Sequence, residues 1–167
     1  DIKGSSARGY HVTNSSNVII QNAEISNTKG EGVLFVASYD SAVIYCDFSN
    51  INGTMMQNAY YYYDKQMKPS NIFVQNNYFH DPVPQSQYGV VLRDGYRSVV
   101  SHNEFDNVCM SLSGFEHIIE YNEFRGGSRD VTDGGMIYTT SSGKGGSHVR
   151  YNLFHMFNVS QRAIYND

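Results

Sequence analysis

Tryptophan is absent from this chain of 167 residues, proline occurs three times and cysteine twice. Basic residues are scarce as well: 12 Lys and Arg stand against 16 Asp and Glu, a formal net charge of −4 with the six histidines neutral. A nucleic-acid binder usually carries a basic stripe that meets phosphate. No run of Lys and Arg occurs here, so no nucleic-acid partner is expected. No segment is apolar for long enough to span a membrane, and no signal peptide is visible. The two cysteines, Cys46 and Cys109, permit one disulfide at most, and both fall in apolar-patterned segments, which points to buried free thiols. Nucleotide loops are missing too, because Gly143–Gly146 lacks the spacing and the following Ser or Thr that cradle phosphate. The histidines His80, His102, His117, His148 and His155 have no zinc-ligand spacing and read as turn or surface residues.

What the chain has instead is a repeat. Six segments, Asn17–Ser26, Ser41–Ser49, Asn71–His80, Ser98–Asp106, His117–Arg125 and His148–His155, align on an apolar residue near each end: Ile25, Phe48, Phe79, Phe105, Phe124 and Phe154. Five positions earlier every segment carries a β-branched residue: Ile20, Val43, Val74, Val100, Ile119 and Val149. Between them, two positions before the first column, stand Ala23, Cys46, Asn77, Asn103, Asn122 and Asn152. The first column is unevenly spaced, tightest from Phe105 to Phe124 and widest from Phe48 to Phe79. A helical heptad cannot survive such irregular insertions. A solenoid can, because loops bulge outward while the strands stay stacked.

The segments are short, β-branched or aromatic, and bounded by Gly, Asn, Ser and Asp, so they read as strands. A second strand follows in each interval: Glu31–Val36, Ala59–Tyr63, Tyr88–Leu92, Cys109–Leu112, Gly135–Tyr138 and Arg162–Tyr165. Each coil then holds at least two strands, with room for a third. The expected architecture is all-β: a right-handed parallel β-helix of about six coils, one domain over residues 1–167, taken as a segment of a longer β-helix chain. The Asn column is expected to be structural. Its amides can bond backbone groups or the next Asn at a sharp bend, and Asn tolerates left-handed backbone there.

A long parallel stack presents an extended wall that suits a linear polymer better than a small cofactor. One stretch, Asp130–Gly146, stands out, with Asp133 ahead of Gly134 and Gly135 at the entry to a strand. One coil later the equivalent strand closes on Asp167. Two carboxyl groups on adjacent coils have the spacing that glycosidic hydrolysis needs, about 5 Å for retention or about 6.5–9.5 Å for inversion. An Asx turn capped by Asp133 is the plain alternative. Asp64 and Asp94 end corresponding strands of earlier coils, so an acidic ridge with Asp167 is expected, able to raise a carboxyl pKa or to hold Ca²⁺. No other cofactor is expected. Arg93 and Arg162, with Arg97 and Lys65, lie near these positions, and Tyr138 and Tyr165 offer rings to sugar faces. The run Tyr60–Tyr63 must place about half its rings outward.

Set side by side, these motifs make the chain resemble the right-handed parallel β-helix, pectin-lyase-like carbohydrate-active proteins. Its last part resembles glycoside hydrolase family 141 more specifically. An Asp-Gly-Gly element runs into Ile-Tyr over Asp133–Tyr138. An element ending Arg-Tyr-Asn-Leu-Phe-His closes at His155, and Ile-Tyr-Asn-Asp follows over Ile164–Asp167. Members of that family act as α-L-fucosidases or xylanases with two catalytic aspartates. The resemblance implies a catalytic pair at Asp133 and Asp167, with His155 in a substrate-site or supporting role. Asp94, Arg93, Tyr138, Arg162 and Tyr165 complete the expected substrate contacts. The expected activity is hydrolysis of a polysaccharide or oligosaccharide, in a secreted, periplasmic or cell-surface setting. A lyase for acidic glycans and a non-catalytic carbohydrate-binding or structural solenoid are the alternatives.

Overall fold

A computed structural model describes residues 1–59, 70–84, 88–126, 135–139, 145–155 and 162–167, with Asp94 described by its backbone alone. Within these residues the chain winds through three parallel sheets. Sheet A stacks Ile2–Lys3, Glu24–Ser26, Asp47–Ser49, Tyr78–His80, Glu104–Asp106, Glu123–Arg125 and Leu153–His155. Sheet B stacks Tyr10–Thr13, Val33–Val36, Met56–Ala59, Tyr88–Tyr96, Cys109–Phe115, Ile137–Thr139 and Ile164–Asn166. Sheet C stacks Ile19–Gln21, Ser41–Ile44, Ile72–Gln75, Val99–Ser101, Ile118–Glu120 and His148–Arg150. The fold is a right-handed parallel β-helix, and among the described residues no helix is long and apolar enough to cross a membrane.

The expected columns are the register of the sheets. Ile25, Phe48, Phe79, Phe105, Phe124 and Phe154 sit directly opposite one another in sheet A. Ile20, Val43, Val74, Val100, Ile119 and Val149 do the same in sheet C. The phenylalanine rings stack with centroids 4.8, 5.0, 4.5 and 5.1 Å apart. Each short strand buries one such side chain, and only the coil above and the coil below complete its surroundings.

Three features differ from the sequence reading. Each aligned segment is two strands, not one, because the chain bends between sheet C and sheet A. The third strand that the spacing left room for completes every coil but the last, and sheet A gains a seventh strand at Ile2, opposite Ile25. In the third coil the sheet B strand is Met56–Ala59, earlier than expected; Tyr60–Tyr63 lie outside the described residues.

At the bend the left-handed residue is the one before the Asn column. Asn22, Tyr45, Asn76, His102, Tyr121 and Tyr151 all have φ between 53° and 57°. Left-handed backbone costs a non-glycine residue roughly 1–2 kcal/mol, so the bend needs compensation. The next residue supplies it. The Nδ2 groups of Asn77, Asn103 and Asn122 donate to Oδ1 of the Asn one coil on, each at 3.0 Å. They also donate to the carbonyls of Val43, Val74 and Val100. The Oδ1 atoms of Asn103, Asn122 and Asn152 accept the backbone N–H of the preceding Asn at 2.9–3.0 Å. Cys46 takes over at the ladder's end, its N–H donating to Asn77 Oδ1 at 2.9 Å and its thiol to Ile44 O at 3.3 Å. Cys46 and Cys109 are both free and buried, as expected.

His117 is not a surface histidine. It is fully buried, with Nδ1 accepting the Ser98 N–H at 3.1 Å and Nε2–H donating to Ser113 O at 3.2 Å. Both nitrogens are used by the neutral ring. Burial lowers its pKa to about 4, against the smaller opposing effect of the backbone contacts.

Two outcomes follow from this interior. Asn103→Ala removes a ladder rung, leaving the buried Asn77 N–H without its acceptor and the Val74 carbonyl without its side-chain donor, at about 1–3 kcal/mol for the unpaired N–H. Urea unfolding should show a clearly larger loss than for Asn152→Ala, whose side chain lies at the half-exposed end of the ladder. For His117 the unfolded chain takes up a proton near pH 6.5 while the folded protein resists to about pH 4. Its contribution is present above pH 6.5 and is lost as pH falls to about 4, by up to ~3 kcal/mol. His117→Gln should flatten the stability profile between pH 4.5 and 6.5.

Candidate functional site

The sequence-predicted site falls on the outer face of sheet B at its last coils. Ile137 and Ile164 are paired, with Ile137 turned into the core. Strand alternation then turns Tyr138 and Tyr165 outward. The two tyrosines are direct register partners, with ring centroids 5.6 Å apart and planes at 23°. Tyr138 Oη donates to Asp167 Oδ2 at 2.7 Å. The Asp167 N–H donates to the Thr139 carbonyl at 3.1 Å, so the backbone as well as the phenol positions this carboxylate. The Arg162 guanidinium lies over the Tyr165 ring at 4.6 Å. Asp167 is solvent-exposed.

Gly135 explains how these coils come so close. A Cβ built there would stand 2.9 Å from Tyr165 N and 3.2 Å from the Arg162 carbonyl. Glycine is needed because the next coil's main chain presses against it. Asp133, two residues earlier, lies outside the described residues, as do Asp64 and Lys65.

Other predicted contacts are spread along the rod. Arg93 is exposed in the sheet B strand Tyr88–Tyr96. Its register shifts between Leu92 and Gly95 against Leu112 and Gly114 of the next strand, so Arg93 and Asp94 form a bulge. Bulges of this kind re-aim side chains at the sheet surface. Two strands, Cys109–Phe115 and Ile137–Thr139, separate this bulge from the strand leading to Asp167, a rise of about 14 Å. The strand positions of Asp94 and Asp167 are therefore three coil steps apart. Among the described residues no three His, Cys, Asp or Glu side chains converge as a metal site.

His155 is not brought to Asp167. It belongs to sheet A, opposite Arg125, and its Nε2 lies 2.8 Å from Glu123 Oε1. The motif that contains it spans the bend between sheets C and A, so neither half of it lies on sheet B.

The sequence reading missed a second concentration of polar and aromatic side chains at the corner between sheets C and A. An open groove of about 850 Å³ runs there, flanked by Tyr45, His102 and Tyr121 on one side and Asp47, Tyr78, Glu104 and Glu123 on the other. The signal was available. Each wall residue is the direct neighbour of an Asn-column residue, so the ladder alignment already names both walls.

A family described as the right handed beta helix region matches residues 1–83. No curated protein and no solved structure matches the chain.

Proposed function

We propose that this right-handed β-helix acts on a polysaccharide or oligosaccharide and hydrolyses its glycosidic bonds at the sheet B face, with Asp133 and Asp167 as the catalytic pair. The fold is compatible with carbohydrate-active proteins, since a shallow wall repeating about every 4.8 Å can follow a linear chain of sugars. The observation that carries the reading is the held carboxylate: Asp167 accepts the Tyr138 phenol at 2.7 Å beside the Tyr138–Tyr165 stack.

An ionised carboxylate is acceptor-only, which suits Asp167 to attack the anomeric carbon or to take a proton from water. Asp133 is then the acid that protonates the departing oxygen. The stacked tyrosines and Arg162 supply the sugar-facing surface, and Arg93 meets the glycan farther along the axis. The resemblance to glycoside hydrolase family 141 over Asp133–Tyr138 and Ile164–Asp167 supports the same pair. A secreted, periplasmic or cell-surface location belongs to this proposal.

Reducing-end release from oligosaccharides should fall roughly 10²–10⁴-fold in Asp133→Asn and in Asp167→Asn, with the melting transition retained. Tyr138→Phe, which keeps the ring stack and removes only the hydroxyl, should cost about tenfold. Unchanged rates in both Asn variants overturn the assignment. An unsaturated, ultraviolet-absorbing product would replace it with the lyase reaction.

A further inference from the structure

The corner groove has a construction that the sheet B site does not use. At the five bends from Asn22 to Glu123 the left-handed residue and the residue two positions later both project outward, and the residue between them is buried. The result is a trough parallel to the rod axis. Its lining runs from Asp1 to Glu123, six coils, so its length is about 24 Å at the strand spacing.

One wall is aromatic and exposed. His102 stacks on Tyr121 at 5.2 Å and Tyr121 on Tyr151 at 5.1 Å. These rings spend their faces on one another and offer edges and hydroxyls to solvent. Tyr45 differs: it is 61% exposed, its column neighbours are Asn22 and Asn76, and among the described residues no ring stacks on it. The Tyr45 ring is therefore left exposed between two asparagines.

The opposite wall is acidic, and each of its carboxylates Glu24, Asp47, Glu104 and Glu123 has a basic side chain against it. Lys3 pairs with Glu24 at 2.6 Å, and Arg125 pairs with Glu104 and with Glu123. His155 meets Glu123 at 2.8 Å. His80 meets Asp47 at 2.8 Å through Nε2 and Asp81 at 2.9 Å through Nδ1. Only the imidazolium can donate from both nitrogens, and although burial lowers the His80 pKa, the two carboxylates outweigh it and raise the value. Lys3, His80, Arg125 and His155 thus meet the wall acids from the next outward column of sheet A, which they share with Ser26, Ser49 and Asp106. The remaining lone pairs of the wall acids face the groove as hydrogen-bond acceptors. Tyr78 stays a protonated donor among them, because burial and then the nearby acids raise its pKa.

We propose that this groove binds an extended, uncharged oligosaccharide lying along the rod axis, with Tyr45 under a sugar ring and the paired carboxylates accepting sugar hydroxyls. The wall carboxylates already hold basic partners, and on that ground we take a neutral ligand over a polycation. The groove is open and interleaves rings with carboxylates, a lining suited to a polar, ring-bearing ligand. The coil rise is close to the length of one sugar residue in an extended chain, so each coil can offer the same contacts to successive units. This site stands apart from the sheet B reading and does not rest on it.

Titration calorimetry with xylohexaose, cellohexaose and mannohexaose tests it. At least one should bind, Tyr45→Ala should weaken that binding at least tenfold, and Tyr121→Ala should weaken it as well. Both side chains are exposed, so the melting transition should hold. Binding should be the same in Asp167→Asn, which separates this groove from the hydrolytic face. No binding by any of the three, or binding indifferent to Tyr45→Ala, overturns the proposal. Tighter binding of the cationic glucosamine hexamer or of hexalysine, abolished by salt, overturns it in favour of a polycation.

Discussion

A coil of this chain has no inside until another coil lies on it. Its strands are short, and each turns only one or a few side chains inward. In-register stacking of like residue on like residue is therefore the constraint from which everything else follows. Phe on Phe and Val on Val satisfy it because identical shapes pack at the strand spacing without steps. The same register that builds the core carries outward residues into columns. A surface site in this fold is consequently a feature of several coils, never of one.

The asparagine ladder makes this stacking tolerant of irregular length. It closes the C–A bend with side-chain amides that bond both the neighbouring rung and the backbone, and so fixes the corner whatever the loops elsewhere do. The short interval from Phe105 to Phe124 coexists with the long one from Phe48 to Phe79 because the variation is discharged between the other sheets. The bend is also the reason the corner groove exists, since it holds one residue left-handed and outward beside each buried amide.

Much of this was legible from residue spacing. The Phe and Ile/Val columns, the parallel register, the structural role of the Asn column and the buried thiols were all readable, because each depends on a side chain that stacking would select. Parity across the bend was not. A left-handed residue resets the two-residue alternation, so a segment that reads as one strand feeds two walls, with Val149 in sheet C and His155 in sheet A. The bulge at Arg93–Asp94 shifts register in the same silent way. His117 was unreadable as an interior residue for a different reason. A buried polar cluster with Ser98 and Ser113 satisfies it, and nothing in its local sequence announces those partners.

The outer column of sheet C gives the most direct test of the stacking. Ile19, Ala42, Phe73, Val99, Ile118 and His148 follow one another by register. Spin labels are placed at Ile19→Cys and His148→Cys, with Cys46 and Cys109 replaced by alanine. They should report a narrow distance distribution centred at about 24 Å, five strand steps. A broad distribution, or one centred beyond about 35 Å, just over seven such steps, would contradict coils stacked in register.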